Sequence, residues 1–243
     1  MEIYYLDNSG FAVILGKTLL VFDYYNENPY GAGEGFSCGV LPKGRMADFE
    51  RVYFFVSHRH YDHCNRAIFT YAEENPNTAY ILDVGMINPP KEFDVHRMGV
   101  DATWRDDFLF VRRCPSTDIG GSFYVEAGGY RLFHAGDLNC WHWHTEATED
   151  EERQLRQNFT DALGYIARFV SKIDVAFFPI DTRLKGPFDD GALEFIETFH
   201  PALFIPMHFQ NDFDVPENFA AKVDVPVFQI RKRGDRMVWP PLL

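Results

Sequence analysis

Short apolar runs separated by Gly, Asn and Asp turns open the chain. Residues 2–6, 10–15 and 18–24 predict three consecutive strands, with turns at Asn8-Ser9-Gly10 and Gly16-Lys17. Residues 26–46 are rich in Gly, Pro and Asn, with Gly31-Ala32-Gly33-Glu34-Gly35 at their centre, and predict a long loop, either a flap over a site or a surface excursion. Val52-Tyr53-Phe54-Phe55-Val56 has no polar member and predicts a buried strand; 64–74 then reads as helix and 78–82 as strand. Asn88-Pro89-Pro90 interrupts the pattern, and Phe108-Leu109-Phe110-Val111 resumes it. Residues 122–127 and 130–135 flank Gly128-Gly129 and predict a hairpin. The clearest helix spans about 149–171. Thr148 and Glu151 form a capping-box signature, and Leu155, Phe159, Ala162, Ile166 and Val170 recur on one face. Strands over 174–180 and 203–207 enclose a helix over 190–199.

The candidate chemistry sits where the second of these regions stops. His58-Arg59-His60-Tyr61-Asp62-His63 follows the 52–56 strand and puts four metal-binding side chains within six residues. Alternation along an extended strand end sends His58 and His60 to one side, and the turn brings Asp62 and His63 to a second position nearby. Imidazole and carboxylate together suit zinc, manganese or iron, so two adjacent ions are expected. The alternative is a surface turn that happens to be rich in histidine.

HxHxDH after a strand resembles the first metal motif of the metallo-β-lactamase superfamily, and later motifs keep the resemblance in order. Asp137, in Phe133-His134-Ala135-Gly136-Asp137, matches the Asp that bridges two ions in that superfamily, and His208, after Phe204-Ile205-Pro206-Met207, matches its last His. Asn8-Ser9-Gly10-Phe11 and Leu19-Leu20-Val21-Phe22-Asp23 look like its opening strands, so the likeness covers roughly residues 1–212. It implies an α/β fold, the αββα sandwich, as a single domain over 1–243. It also implies His58 and His60 on a first ion, Asp62, His63 and His208 on a second, and Asp137 between them. His134 is then a strand residue.

One ligand of the pattern is missing. Family members place a His between the first motif and the bridging Asp, whereas Cys114-Pro115-Ser116-Thr117-Asp118-Ile119-Gly120-Gly121-Ser122 has none. Asp118 is the candidate substitute, since a carboxylate ligates the same ions at about 2.0–2.2 Å. It would make the first site harder, moving preference from zinc towards manganese or iron. Otherwise Asp118 caps its own turn, or Cys114 supplies a thiolate.

Two bound divalent ions would yield a metal-bound hydroxide and polarise the bond under attack, chemistry that suits hydrolysis of an ester, lactone, amide or phosphodiester. Asp62 and His142 are the candidate catalytic residues, His142 as proton donor to the leaving group with His144 as its alternative; both histidines can equally face solvent. Trp141, in the segment after the bridging Asp, is expected to touch substrate. Arg183 and Lys185 are placed to grip an anionic group, although Arg183 can instead pair with Asp181. Single-domain size and the His134-Ala135-Gly136-Asp137 form resemble most the branch containing sugar-phosphate lactonases. The expected function is therefore hydrolysis of a small anionic metabolite, an ester or lactone first. A phosphodiesterase, an iron-dependent redox enzyme and a binding protein with a decayed site are the alternatives.

Charge narrows the partners. The chain has 23 basic and 36 acidic residues, a net charge of −13 that repels phosphate backbones and anionic lipid, so neither nucleic acid nor membrane is expected as a partner. Arg231-Lys232-Arg233 reads as a solvated strand end. Cys38, Cys64, Cys114 and Cys140 form no CxxC pair and read as reduced thiols, chiefly buried filler. With no basic start followed by an apolar stretch, the expected location is the cytoplasm.

Overall fold

A computed structural model describes residues 1–86, 92–143 and 146–240. The break at Asn88-Pro89-Pro90 and the candidate His144 lie outside these residues. The chain forms two compact units, Met1–Gly99 with Ile230–Leu243, and Val100–Gln229. In chain order the first contributes strands β1 (Glu2–Asp7), β2 (Gly10–Leu15), β3 (Thr18–Phe22), β4 (Arg51–Val56), β5 (Thr78–Asp83) and β6 (Asp94–Met98). The second contributes β7 (Thr103–Arg105), β8 (Leu109–Cys114), β9 (Ser122–Ala127), β10 (Tyr130–His134), β11 (Val175–Pro179) and β12 (Leu203–Met207). Its helices are α1 (Glu149–Ile166), α2 (Asp190–Phe199) and α3 (Val215–Ala220). The chain then returns to the first unit as β13 (Arg236–Val238).

The first unit is built on a seven-stranded sheet ordered β13-β1-β2-β3-β4-β5-β6. Tight turns make β1, β2 and β3 antiparallel neighbours, whereas β3, β4, β5 and β6 run parallel. Every residue of β3 and β5 is buried, and the near-continuous apolar sequence of β3 and β4 is what a parallel strand covered on both faces requires. Val21, Phe54 and Tyr80 pack with Ile68 and Tyr71 of a 3₁₀ helix, Arg66–Glu73, which occupies the stretch expected as an α-helix. Asn65 caps that helix by accepting from the Ala67 N–H.

The loop expected over 26–46 is largely irregular, with two short 3₁₀ turns at Phe36–Cys38 and Met46–Asp48. Arg233 ties it down. This buried guanidinium donates to the carbonyls of Leu6, Asn28 and Gly39 at 2.7, 3.0 and 3.0 Å, so of the basic run expected to be solvated Arg231 and Lys232 are exposed and Arg233 is not. Gly39 is required there: its φ is +68°, and a Cβ would lie 2.6 Å from the Leu6 carbonyl oxygen.

The second unit holds a six-stranded sheet, β12-β11-β10-β9-β8-β7. Its first three strands are parallel, and β10 to β7 are antiparallel, including the expected β9–β10 hairpin. The capping box at Thr148 and Glu151 starts α1 as its sequence predicts. The helix stops at Ile166 rather than near 171, and buries Phe159, Leu163 and Ile166. Phe195 of α2 packs on Phe178 of β11 with ring centroids 4.5 Å apart, and Phe159 meets the same ring edge-on at 6.2 Å.

Candidate functional site

The expected ligands fall on both units, and each unit organises its own set at the C-terminal ends of parallel strands. In the first, β3 and β4 pair Phe22 with Phe55, so the residues just beyond them, Asp23 and Ser57, are neighbours. The buried Asp23 carboxylate accepts from the Ser57 N–H at 2.8 Å and the Ser57 hydroxyl at 2.6 Å, and lies 2.8 Å from His63 Nδ1. Ser57 Oγ is also 3.0 Å from His58 Nδ1. The first-motif rings therefore sit in a fixed cluster, with His58 4.0 Å from His63 and 4.6 Å from His60 between centroids. His58 and His63 are buried and His60 is exposed. Asn8, in the β1–β2 turn, donates to Asp62 at 3.1 Å. With Nδ1 of His63 held by a carboxylate, Nε2 is the nitrogen left for a ligand role, the arrangement typical of metal-binding histidines.

The second unit repeats the device. Met207 pairs with Pro179 across parallel β11 and β12, and one or two residues beyond them stand Asp181 and His208. Asp181 accepts from His208 Nδ1 at 2.9 Å, and His208 Nε2 lies 3.6 Å from Asp137 Oδ1. All three are buried. Burial alone would raise the Asp181 carboxyl, but hydrogen bonds from His208 and Arg183 outweigh it and lower it to about 2.

The other candidates are placed as follows. Arg183 is committed to Asp181 through Nε at 2.9 Å and Nη2 at 2.5 Å, the pairing left open above. Lys185 is exposed. Trp141, expected to touch substrate, is buried and donates from Nε1 to the Asp137 carbonyl at 2.7 Å, with its ring edge-on to His208 at 5.9 Å, so it braces these two residues. His142, expected as a proton carrier, is completely buried with Nε2 3.2 Å from the Pro187 carbonyl, and we assign it a packing role. Asp118 is exposed and caps its turn, accepting from the Ile119 N–H at 2.8 Å through Oδ1. Burial pushes the Cys114 thiol up to about 12, which disfavours it as a thiolate. His134 ends β10 as expected.

Sequence reading missed Asp23 and Ser57 as partners of the ligands. A carboxylate one residue past an early parallel strand was the available signal, and only the sheet order shows which strand end it meets.

No family model matches the chain. A UPF0173 metal-dependent hydrolase of Opitutus terrae is 27% identical over 248 residues, covering 91% of this chain and 92% of the relative. The metallo hydrolase Igni18 of the archaeon Ignicoccus hospitalis superposes with a TM-score of 0.66 at 15% identity, over 97% of each chain. CmlA of Streptomyces venezuelae, a diiron β-hydroxylase, gives 0.61 at 13% identity, over 97% of this chain and 53% of CmlA. Among the described residues, no helix is long and apolar enough to cross a membrane. The fold class is the α/β, metallo-β-lactamase-like one expected from the sequence. By this similarity the chain is an enzyme of the metal-dependent hydrolase class.

Proposed function

We propose that this chain hydrolyses an ester or lactone bond in a small anionic metabolite, as in the lactonase-like branch its motifs resemble, using two divalent ions with zinc the first choice. His58, His60, Asp62, His63, Asp118, Asp137 and His208 would hold them. The reading is carried by one repeated observation: Asp23 on His63 and Asp181 on His208 are buried carboxylates that each lock an imidazole by Nδ1. Any buried imidazole needs a hydrogen-bond partner, and a buried carboxylate on Nδ1 also fixes the single tautomer and orientation that a ligand requires. Asp118 uses one carboxylate oxygen on its turn, leaving Oδ2 for a ligand role.

Divalent ions bound there would supply Lewis acidity and lower the pKa of a water. The protein does the rest. Asn8 donates to Asp62 and fixes the direction of its carboxylate, the group that would help hold an ion. Trp141 holds the Asp137 backbone and shields His208. Lys185, exposed just beyond β11, is the cation available to an anionic substrate in a chain of net charge −13.

The test is metal content per chain by mass spectrometry on tag-free protein, with hydrolysis of lactones, thioesters and phosphodiesters before and after chelation. About two ions and chelator-sensitive turnover support the reading. A chain that takes up no metal, or turnover indifferent to chelation and to His63→Ala and His208→Ala, overturns it.

A further inference from the structure

We propose that a cavity of about 410 Å³ between Trp143 and the first turns of α1 holds an uncharged aromatic ring of the substrate. This inference rests on the hydrolase reading above and adds the chemistry of a group bound two indoles away from the proposed ligands.

Trp143, Ala147 and Leu155 are the apolar lining, joined by Glu146, Glu151 and Gln154. Two of the polar groups are already engaged. Glu151 accepts from the Thr148 N–H at 2.8 Å and its hydroxyl at 2.7 Å, and the Gln154 amide donates to Asn158 at 2.8 Å. The described lining contains no Lys or Arg and holds two carboxylates, Glu146 and Glu151, so it repels an anion, and the exposed Trp143 indole offers an uncharged ring a face to stack on. Its volume lies in the range of small-molecule sites, roughly 300–1,000 Å³, enough for a ring.

Trp143 is held there at a cost. Its φ of +42° is the left-handed region, which a bulky side chain seldom occupies. Two main-chain bonds offset this, as the Trp143 carbonyl accepts from the N–H groups of Glu146 at 2.8 Å and Ala147 at 3.0 Å. The result is an indole nearly parallel to that of Trp141, with centroids 5.9 Å apart and 15° between planes, and still 36% exposed. Trp141 in turn donates to Asp137 and meets His208. An aromatic group stacked at Trp143 is thus two indoles from the proposed ligands. A planar ring matches an exposed indole by area and by stacking geometry.

The experiment is a fluorescence titration of the full chain with N-phenyl-1-naphthylamine, a neutral aromatic probe, with and without added zinc. Saturable one-site binding is expected. Trp143→Ala and Leu155→Gln should each raise Kd about tenfold, while Trp143→Phe, which keeps a ring, stays within about threefold and shows the fold is intact. Binding that is absent, or unaffected by both of the first two substitutions, overturns the ring site whatever the turnover results. Probe binding that depends on Trp143 in a protein without metal-dependent turnover keeps the ring site and removes the hydrolase reading instead.

Discussion

Replacing Asp181 by Asn tests whether the paired carboxylates serve the ligands. The Asp181 side chain accepts from His208 Nδ1 at 2.9 Å, from the Arg183 guanidinium and from the Arg183 N–H at 2.9 Å. Asn keeps the shape but turns one acceptor into a donor, which opposes either the imidazole or the guanidinium. The charge-assisted bond to buried His208 contributes on the order of 1.5–3 kcal/mol. The Arg183 pair adds less, since that side chain is 51% exposed and screened by water. The carboxyl points the same way, since burial would raise it but those same bonds lower it to about 2. Urea unfolding of metal-free Asp181→Asn should therefore show a loss of about 2 kcal/mol. Because the folded-state pKa is the lower one, this contribution is fully present above about pH 4 and is lost as the pH falls towards 2. The variant should lack that part of the acid dependence. Competition with a chromophoric chelator should show metal affinity reduced about 10–100-fold. Stability lost with metal affinity unchanged would make Asp181 a structural anchor for Arg183 alone, and would refute the reasoning.

Three further perturbations test the supporting structure. Arg233→Met leaves the carbonyls of Leu6, Asn28 and Gly39 without their shared donor; it should cost about 3 kcal/mol by urea unfolding and speed proteolytic cleavage within 26–46. Thr148→Ala removes the capping box of α1 and should cost about 1 kcal/mol, with no change in metal content. Burial pushes the thiols of Cys64 and Cys114 up to about 12 and that of Cys140 up to about 11, so Cys38 should react first with a thiol reagent at pH 8 and the other three only on unfolding, which time-resolved labelling will check.

Much of the fold was legible because its signals are local. Thr148 and Glu151 fix the start of α1 within one turn of sequence, and Gly128-Gly129 fixes a hairpin between adjacent strands. Elements whose stability comes from distant partners were not legible. Strand β13 is three residues long and exists by pairing with β1, and Asp94–Met98 carries three polar residues yet is held at a sheet edge by β5. The α1 boundary failed for a related reason. Val170 is buried as the pattern requires, but in the connection after the helix, so apolar spacing outlasted helical geometry. Trp141 was expected to touch substrate and Arg233 to be solvated, and each is buried around a main-chain acceptor that no spacing rule reveals.

The same limit explains why the proposed ligands were visible and the carboxylates paired with them were not. His58, His60, Asp62 and His63 announce themselves by proximity in sequence, but Asp23 lies 40 residues from His63, and Asp181 lies 27 from His208. Parallel pairing closes both distances. When β3 runs beside β4, or β11 beside β12, residues just past each strand emerge at the same end of the sheet and side by side. A carboxylate leaving one strand can then orient an imidazole leaving the loop or strand next to it. Both Asp23 and His208 take a positive φ, +42° and +61°, to do so. The two strained residues play different parts, Asp23 as the carboxylate of one pair and His208 as the imidazole of the other, while Asp181, the carboxylate of the second pair, keeps a relaxed φ of −105°. Parallel pairing nevertheless puts the first-motif histidines and His208 on the same physical footing, although only the former form a sequence motif.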